Sequence, residues 1–116
     1  MNFAPGSLHQ QMVQACREVD DFIHGMSSDE FMGDLKTQRA VMMTFVIIAE
    51  IADRIQLDDP DVGTSFPAVP WSQIRGMRNR LAHGYLTINL DTVWAAASMS
   101  IPALRRALDP HGHSGS

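Results

Sequence analysis

Cysteine is almost missing from this chain: Cys16 is the only one in 116 residues. That excludes an intrachain disulfide and points to a cytoplasmic chain rather than a secreted, disulfide-built scaffold. Long hydrophobic runs are missing too. The greasiest stretch, Val41 to Ala49, is interrupted by Thr44 and followed by Glu50, far short of the ~20 apolar residues a membrane span needs. No association with a membrane is expected. The opening residues Met1-Asn2-Phe3-Ala4-Pro5-Gly6 carry no basic region followed by an apolar run, so no signal peptide is expected. Positive charge is also in short supply, with nine lysines and arginines against 13 acids and a formal net charge of −4. A general nucleic-acid binder gains its affinity by neutralising phosphates, so any RNA contact here must be local.

What is present suits one small folded domain. Hydrophobic residues make up 45% and charged residues 19%, a globular balance rather than a disordered one. No segment alternates as a strand would, whereas apolar spacings of three and four recur. A first helix is expected over Leu8 to His24, stopped by Gly25. Ser27 and Glu30 form a capping box that starts a short helix through Leu35, with Phe31 and Leu35 facing inward. From Lys36 to Leu57 the chain is apolar almost all round, as befits the centre of a bundle. A loop from Asp58, carrying Pro67 and Pro70, leads to a helix over Trp71 to His83 that Gly84 can cap. The last helix starts near Asn89 or Asp91 and is kinked or divided by Pro102, which has no amide to donate. The expected architecture is all-α: a small up-and-down bundle of four to five helices over residues 1–108, with a frayed tail over 109–116.

Chemistry concentrates in Arg78-Asn79-Arg80-Leu81-Ala82-His83-Gly84-Tyr85. Between Trp71 and Tyr85 there are three arginines, Arg75, Arg78 and Arg80, and no acid. That is the local positive footprint RNA binding would require, although a solvated arginine face reads the same from charge alone. Histidine is the side chain that ordinarily exchanges protons near neutral pH. If the substrate is RNA, His83 can take the proton of a 2′-hydroxyl that attacks the adjacent phosphate, and a second His83 in a dimer can protonate the leaving oxygen. Arg78 can bind the phosphate, with Arg75 and Arg80 contributing, while Asn79 orients phosphate or imidazole. Geometry adds a condition, because residues 78 and 83 lie about 140° apart around a regular helix. Their convergence needs either an unwound helix end at Gly84 or a second copy of the helix across a dimer axis. Glu50, a carboxylate in the most apolar helix, calls for a partner such as Arg78 or Arg75, unless it only reaches the bundle surface beside Asp53 and Arg54. His9, His24, His111 and His113 are too dispersed for a zinc site. No metal or cofactor is expected.

The pattern Arg78-Asn79-x-x-x-His83-x-Tyr85 resembles the Arg-x4-His-x-Tyr motif of HepT-like toxins in the HEPN superfamily. The flanking order is similar over most of the chain: Asp29-Glu30-Phe31, Ala49-Glu50, Val69-Pro70-Trp71, Ile74 to Asn79, Trp94, and Pro102-Ala103-Leu104. Ala49 stands where the family often has glycine. The resemblance implies a metal-independent endoribonuclease toxin of a type II toxin-antitoxin pair, acting as a homodimer with Arg78, Asn79 and His83 as catalytic residues. It also implies a minimal nucleotidyltransferase antitoxin that can transfer AMP to Tyr85, placing a bulky anion two residues from His83. The alternative from a different class is a non-catalytic helical module that keeps the fold and binds nucleotides or proteins as a regulator.

Overall fold

The structure, a computed structural model, describes residues 6–109. Its helices are α1 (Leu8–Phe22), α2 (Ser28–Met32), α3 (Leu35–Asp58), the single turn α4 (Val62–Ser65), α5 (Trp71–Gly84), α6 (Leu90–Ala95) and α7 (Ile101–Leu108). A 3-10 turn at Tyr85–Thr87 follows α5, and a π-helical stretch at Ala96–Ser100 joins α6 to α7. Among the described residues no strand occurs. The all-α expectation holds.

Most helices begin where a side chain can accept from their unpaired amides. Ser7 accepts from the Gln10 amide at 3.1 Å, Asp34 from Thr37 at 3.0 Å, and Asn89 from Asp91 at 2.8 Å. The capping box is complete: the Glu30 amide donates to Ser27 at 3.1 Å, and the Ser27 amide donates to the Glu30 carboxylate at 2.9 Å. The Ser27 amide, and after it the Ser27 hydroxyl, hold the Glu30 carboxyl below its ordinary range. Helix α5 differs, with Pro70 before it and no side-chain cap. Proline tolerates that place because the first amides of a helix have no intrahelical partner.

Helix α3 runs through the core and packs against α1 and α5, and α7 packs on α1. Val41, Phe45, Ile48, Ala52 and Ile55 of α3 are buried, along with Met12, Val13, Cys16 and Val19 of α1 and Leu104 and Leu108 of α7. Burial pushes the Cys16 thiol up to about 12, so it stays protonated as a packing group. Gln38 is one of three polar residues buried among the described residues, with Thr44 and Asp109. Its Nε2 donates to the carbonyls of Phe31 and Met32 at 2.9 and 3.0 Å, closing the end of α2. Gln38→Leu should therefore cost about 1–3 kcal/mol, because one buried and one part-buried carbonyl each lose a donor while the volume is kept; urea unfolding measures it.

Several expectations change in detail. Helix α1 ends at Phe22, and Gly25 turns the chain with φ +72°, where a side chain would be strained. Leu35 is 57% exposed rather than inward, because it opens α3 directly after the Asp34 cap. The long loop contains the turn α4, whose Val62 is buried. Gly84 does not cap α5 in a left-handed conformation; its φ is −119° and the chain runs on into the 3-10 turn. Pro102 divides the last helix as expected. The division takes the form of a widened π turn in which the Ile101 amide reaches the Ala96 carbonyl, since proline has no amide for the carbonyl of Ser98. Asp109, the first residue of the expected tail, is buried. His111, His113 and the rest of that tail lie outside the described residues. None of the helices searched among the described residues is long and apolar enough to cross a membrane.

Candidate active site

Helix α5 has no acid of its own, and α3 supplies them. Arg75 Nε lies 3.0 Å from Asp53 Oδ1, and Arg78 Nη2 lies 2.8 Å from Glu50 Oε1. Further along, the Arg39 guanidinium stands 5.3 Å from the centre of the Tyr85 ring, within cation–π range. The residue numbers rise on α3 as they fall on the other side, so the two helices run antiparallel.

The side chains of Arg78 and Glu50 are 51% and 40% exposed. A pair that open to water is worth at most about 1 kcal/mol. Its consequence is orientation. Glu50 both reaches the surface and finds Arg78, so the two readings of that carboxylate meet in one geometry. A guanidinium carries five donors in a fixed fork, which leaves Arg78 able to bind a phosphate while one edge is held by Glu50.

Arg78, Asn79 and Arg75 line one depression of about 360 Å³, with Ala49, Asp53 and Ser72. His83 and Arg80 instead line a second cleft of about 550 Å³. The cause is the regularity of α5, which stays helical through Gly84 and so keeps positions 78 and 83 about 140° apart. Asn79, four residues before His83, is about 40° from it around the axis. The helix end does not unwind, which was one of the two routes to convergence. Among the described residues Arg80 has no carboxylate partner. Tyr85 opens the 3-10 turn and is 37% exposed.

Two partners in this arrangement escape sequence reasoning, Arg39 over Tyr85 and Asp53 under Arg75. Positions 39, 50 and 53 fall on one side of a regular α3, so a polar stripe on an apolar helix is the available signal. What the stripe faces is not encoded locally. Along the same side of α3, between Arg39 and Glu50, Met43 and Ile47 are 59% and 40% exposed, and Leu86 is 95% exposed. The motif thus borders an apolar surface.

Residues 12–110 match the family described as Ribonuclease HepT-like. The chain belongs to this family. The matched span runs from α1 through α7 and includes the whole Arg78 to Tyr85 motif, so the enzymatic class of this HepT-like protein is ribonuclease. A Methanocaldococcus jannaschii protein named as an RNase, MJ0127, is 30% identical over 91 residues, covering 78% of this chain and 73% of its own length. A Thermococcus cleftensis protein named as a ribonuclease HepT is 27% identical over 96 residues, covering 83% of this chain and 84% of its own length. No solved structure matches this chain. In this HepT-like ribonuclease α5 carries Arg75, Arg78 and Arg80 and no acid, a local basic face on a chain of net charge −4.

Proposed function

We propose that this HepT-like ribonuclease is the toxin of a type II toxin-antitoxin pair, a cytoplasmic homodimer that cleaves RNA at a site shared between two copies of α5. The observation that carries this reading is the separation of Arg78 and His83 on a helix that stays regular. One copy alone offers a phosphate-binding arginine in one depression and a proton-transferring histidine in another. A two-fold axis near Ala82 lets the Arg78 of one copy face the His83 of the other. The exposed Met43, Ile47 and Leu86 support such an axis, since they give a second copy apolar surface to cover.

In that site His83 removes the proton from a ribose 2′-hydroxyl, whose oxygen attacks the neighbouring phosphorus. Arg78, steadied by Glu50, offsets the charge that grows on the phosphoryl oxygens. The second His83 gives a proton to the departing 5′-oxygen, leaving a 2′,3′-cyclic phosphate and a free 5′-hydroxyl. Arg75, Arg80 and Asn79 hold the flanking backbone. The nucleophile is part of the substrate, so cleavage should persist in EDTA, with growth arrest in cells that depends on both Arg78 and His83. A purified chain that leaves RNA intact in EDTA, with His83→Ala as harmless to cells as the wild type, removes this reading.

Neutralisation fits Tyr85. Its ring is braced by Arg39 while the residue remains partly exposed, so a nucleotidyltransferase antitoxin can reach the phenol. An AMP group there would block RNA and repel its phosphates two residues from His83. Co-expression with the antitoxin should raise the intact mass by whole AMP units, and Tyr85→Phe should abolish the shift. A neutralised complex with an unmodified Tyr85 peptide would count against covalent inhibition.

A further inference from the structure

The cleft that His83 borders is larger and more apolar than a phosphate site requires. It opens between α5 and α6, encloses about 550 Å³, and is lined among others by Phe45, Met77 and Val93 as well as Arg80, Asn89 and Thr92. None of its lining residues is acidic. On a protein of net charge −4 that combination is selective: apolar surface, one arginine in the lining, and a few neutral hydrogen-bonding groups. The cleft is within the size range of small-ligand pockets, which combine apolar walls with a few placed polar groups. Asn89 contributes one of these in a fixed pose. Its Oδ1 is occupied by the amides of Asp91 and Thr92 at 2.8 and 3.3 Å, so the group that side chain has left for a ligand is the Nδ2 donor.

We propose that this cleft is the subsite for a nucleobase of the RNA substrate, the base of the nucleotide beside the phosphate that His83 acts on. The inference rests on the ribonuclease reading of His83 and deepens it by naming where the substrate is gripped. RNA-binding proteins grip single strands by splaying a base out of the stack, covering its faces with apolar or planar side chains and meeting its edge with hydrogen bonds. Here the partly exposed Met77 and Ile88 supply the walls over a floor of buried Phe45 and Val93, Asn89 and Thr92 the edge contacts, and Arg80 the attraction for the adjoining phosphate. Because His83 lines the same cleft, a base seated there brings its own ribose 2′-hydroxyl toward the imidazole. Base gripping would make the enzyme act on unpaired RNA, since a paired base cannot leave its stack to enter.

The test measures binding apart from cleavage. Amide resonances of the full isotope-labelled chain are followed while AMP, GMP, CMP or UMP is added, with ribose 5-phosphate as the ligand that has the phosphate and sugar but no base. At least one nucleotide should give saturable shifts concentrated at Thr87 to Ala96, and ribose 5-phosphate should not. Ala96→Leu, which fills the cleft from its α6 side, should weaken that nucleotide at least tenfold. Asn89→Asp, which keeps the helix cap but replaces the donor, should weaken it as well and provides a second variant if the leucine disturbs folding. Equal shifts from ribose 5-phosphate and the nucleotides, or unchanged affinity in both variants, would overturn the base subsite. Loss of cleavage in His83→Ala with no nucleotide shifts in this cleft overturns the subsite and leaves the ribonuclease reading of His83 standing. Wild-type cleavage by His83→Ala, with nucleotides still seated in the cleft, removes His83 from the chemistry and with it the assignment of that base to the substrate.

Discussion

His83→Ala should lower the rate of RNA cleavage at saturating substrate by roughly 10²–10⁴-fold, the loss that removing a positioned general acid–base group commonly brings. The loss belongs in the rate more than in substrate affinity, because the arginines that attract the backbone remain. Arg78→Ala should cost roughly 10²–10³-fold, the scale for one group that stabilises charge growing in a transition state. It should raise KM too, since Arg78 meets the phosphate before and during reaction. Glu50→Gln should fall well short of either, because it frees Arg78 from its bridge without removing it. Mixing unlabelled His83→Ala with Arg78→Ala adds a geometric test. A mixed dimer has one copy that keeps Arg78 and one that keeps His83, so one of its two shared sites regains an arginine facing a histidine. Partial recovery of activity on mixing supports sites shared across the dimer, with one histidine enough for the slow step. No recovery, with mixed dimers demonstrably formed, means that both histidines are needed at once or that the site is not shared. Timed digestion of a defined RNA, with the termini analysed for cyclic phosphate, reads all of these.

The largest effect on stability should come from Phe31→Ala. Phe31 is fully buried, its ring sits 5.3 Å from that of Trp94, and its carbonyl takes the Gln38 bond. Truncating a buried aromatic removes its transfer free energy and leaves a cavity, together about 3–5 kcal/mol. Domains of this size are stable by only ~5–15 kcal/mol, so much of the margin goes. Each kcal/mol lowers the melting temperature by roughly 4 °C or more in a small domain, which calorimetry resolves easily. Phe31 lies away from the motif helix. A folded Phe31→Ala protein at low temperature should therefore cleave RNA much as the wild type does, which separates loss of fold from loss of chemistry. A melting point within a few degrees of wild type would mean that Trp94 and its neighbours close over the gap.

Much of the fold was legible because its signals are local. The Ser27–Glu30 box, the Asp34 and Asn89 caps and the three-and-four spacing of α1 and α3 each involve residues within a few turns of one another. Details went astray where a neighbour intervened. Leu35 looks like a core residue by type but falls at the outer end of α3. Gly84 looks like a stop but lies in a helix that merges into a 3-10 turn. The motif was equally legible, down to the angle between Arg78 and His83.

The residues alone determined an all-helical domain, a local basic helix on an acidic chain, and a motif whose family membership the match over residues 12–110 bears out. Tertiary structure decided which carboxylate meets which arginine, that Arg39 braces Tyr85, and that Arg78 and His83 border different cavities. The physical reason is the range of the interactions. Caps and helical periodicity act over a few residues along one chain direction, so they can be read from order and spacing. Pairing between α3 and α5 depends on how two helices are turned and slid against each other, which is set by the summed packing of the whole core.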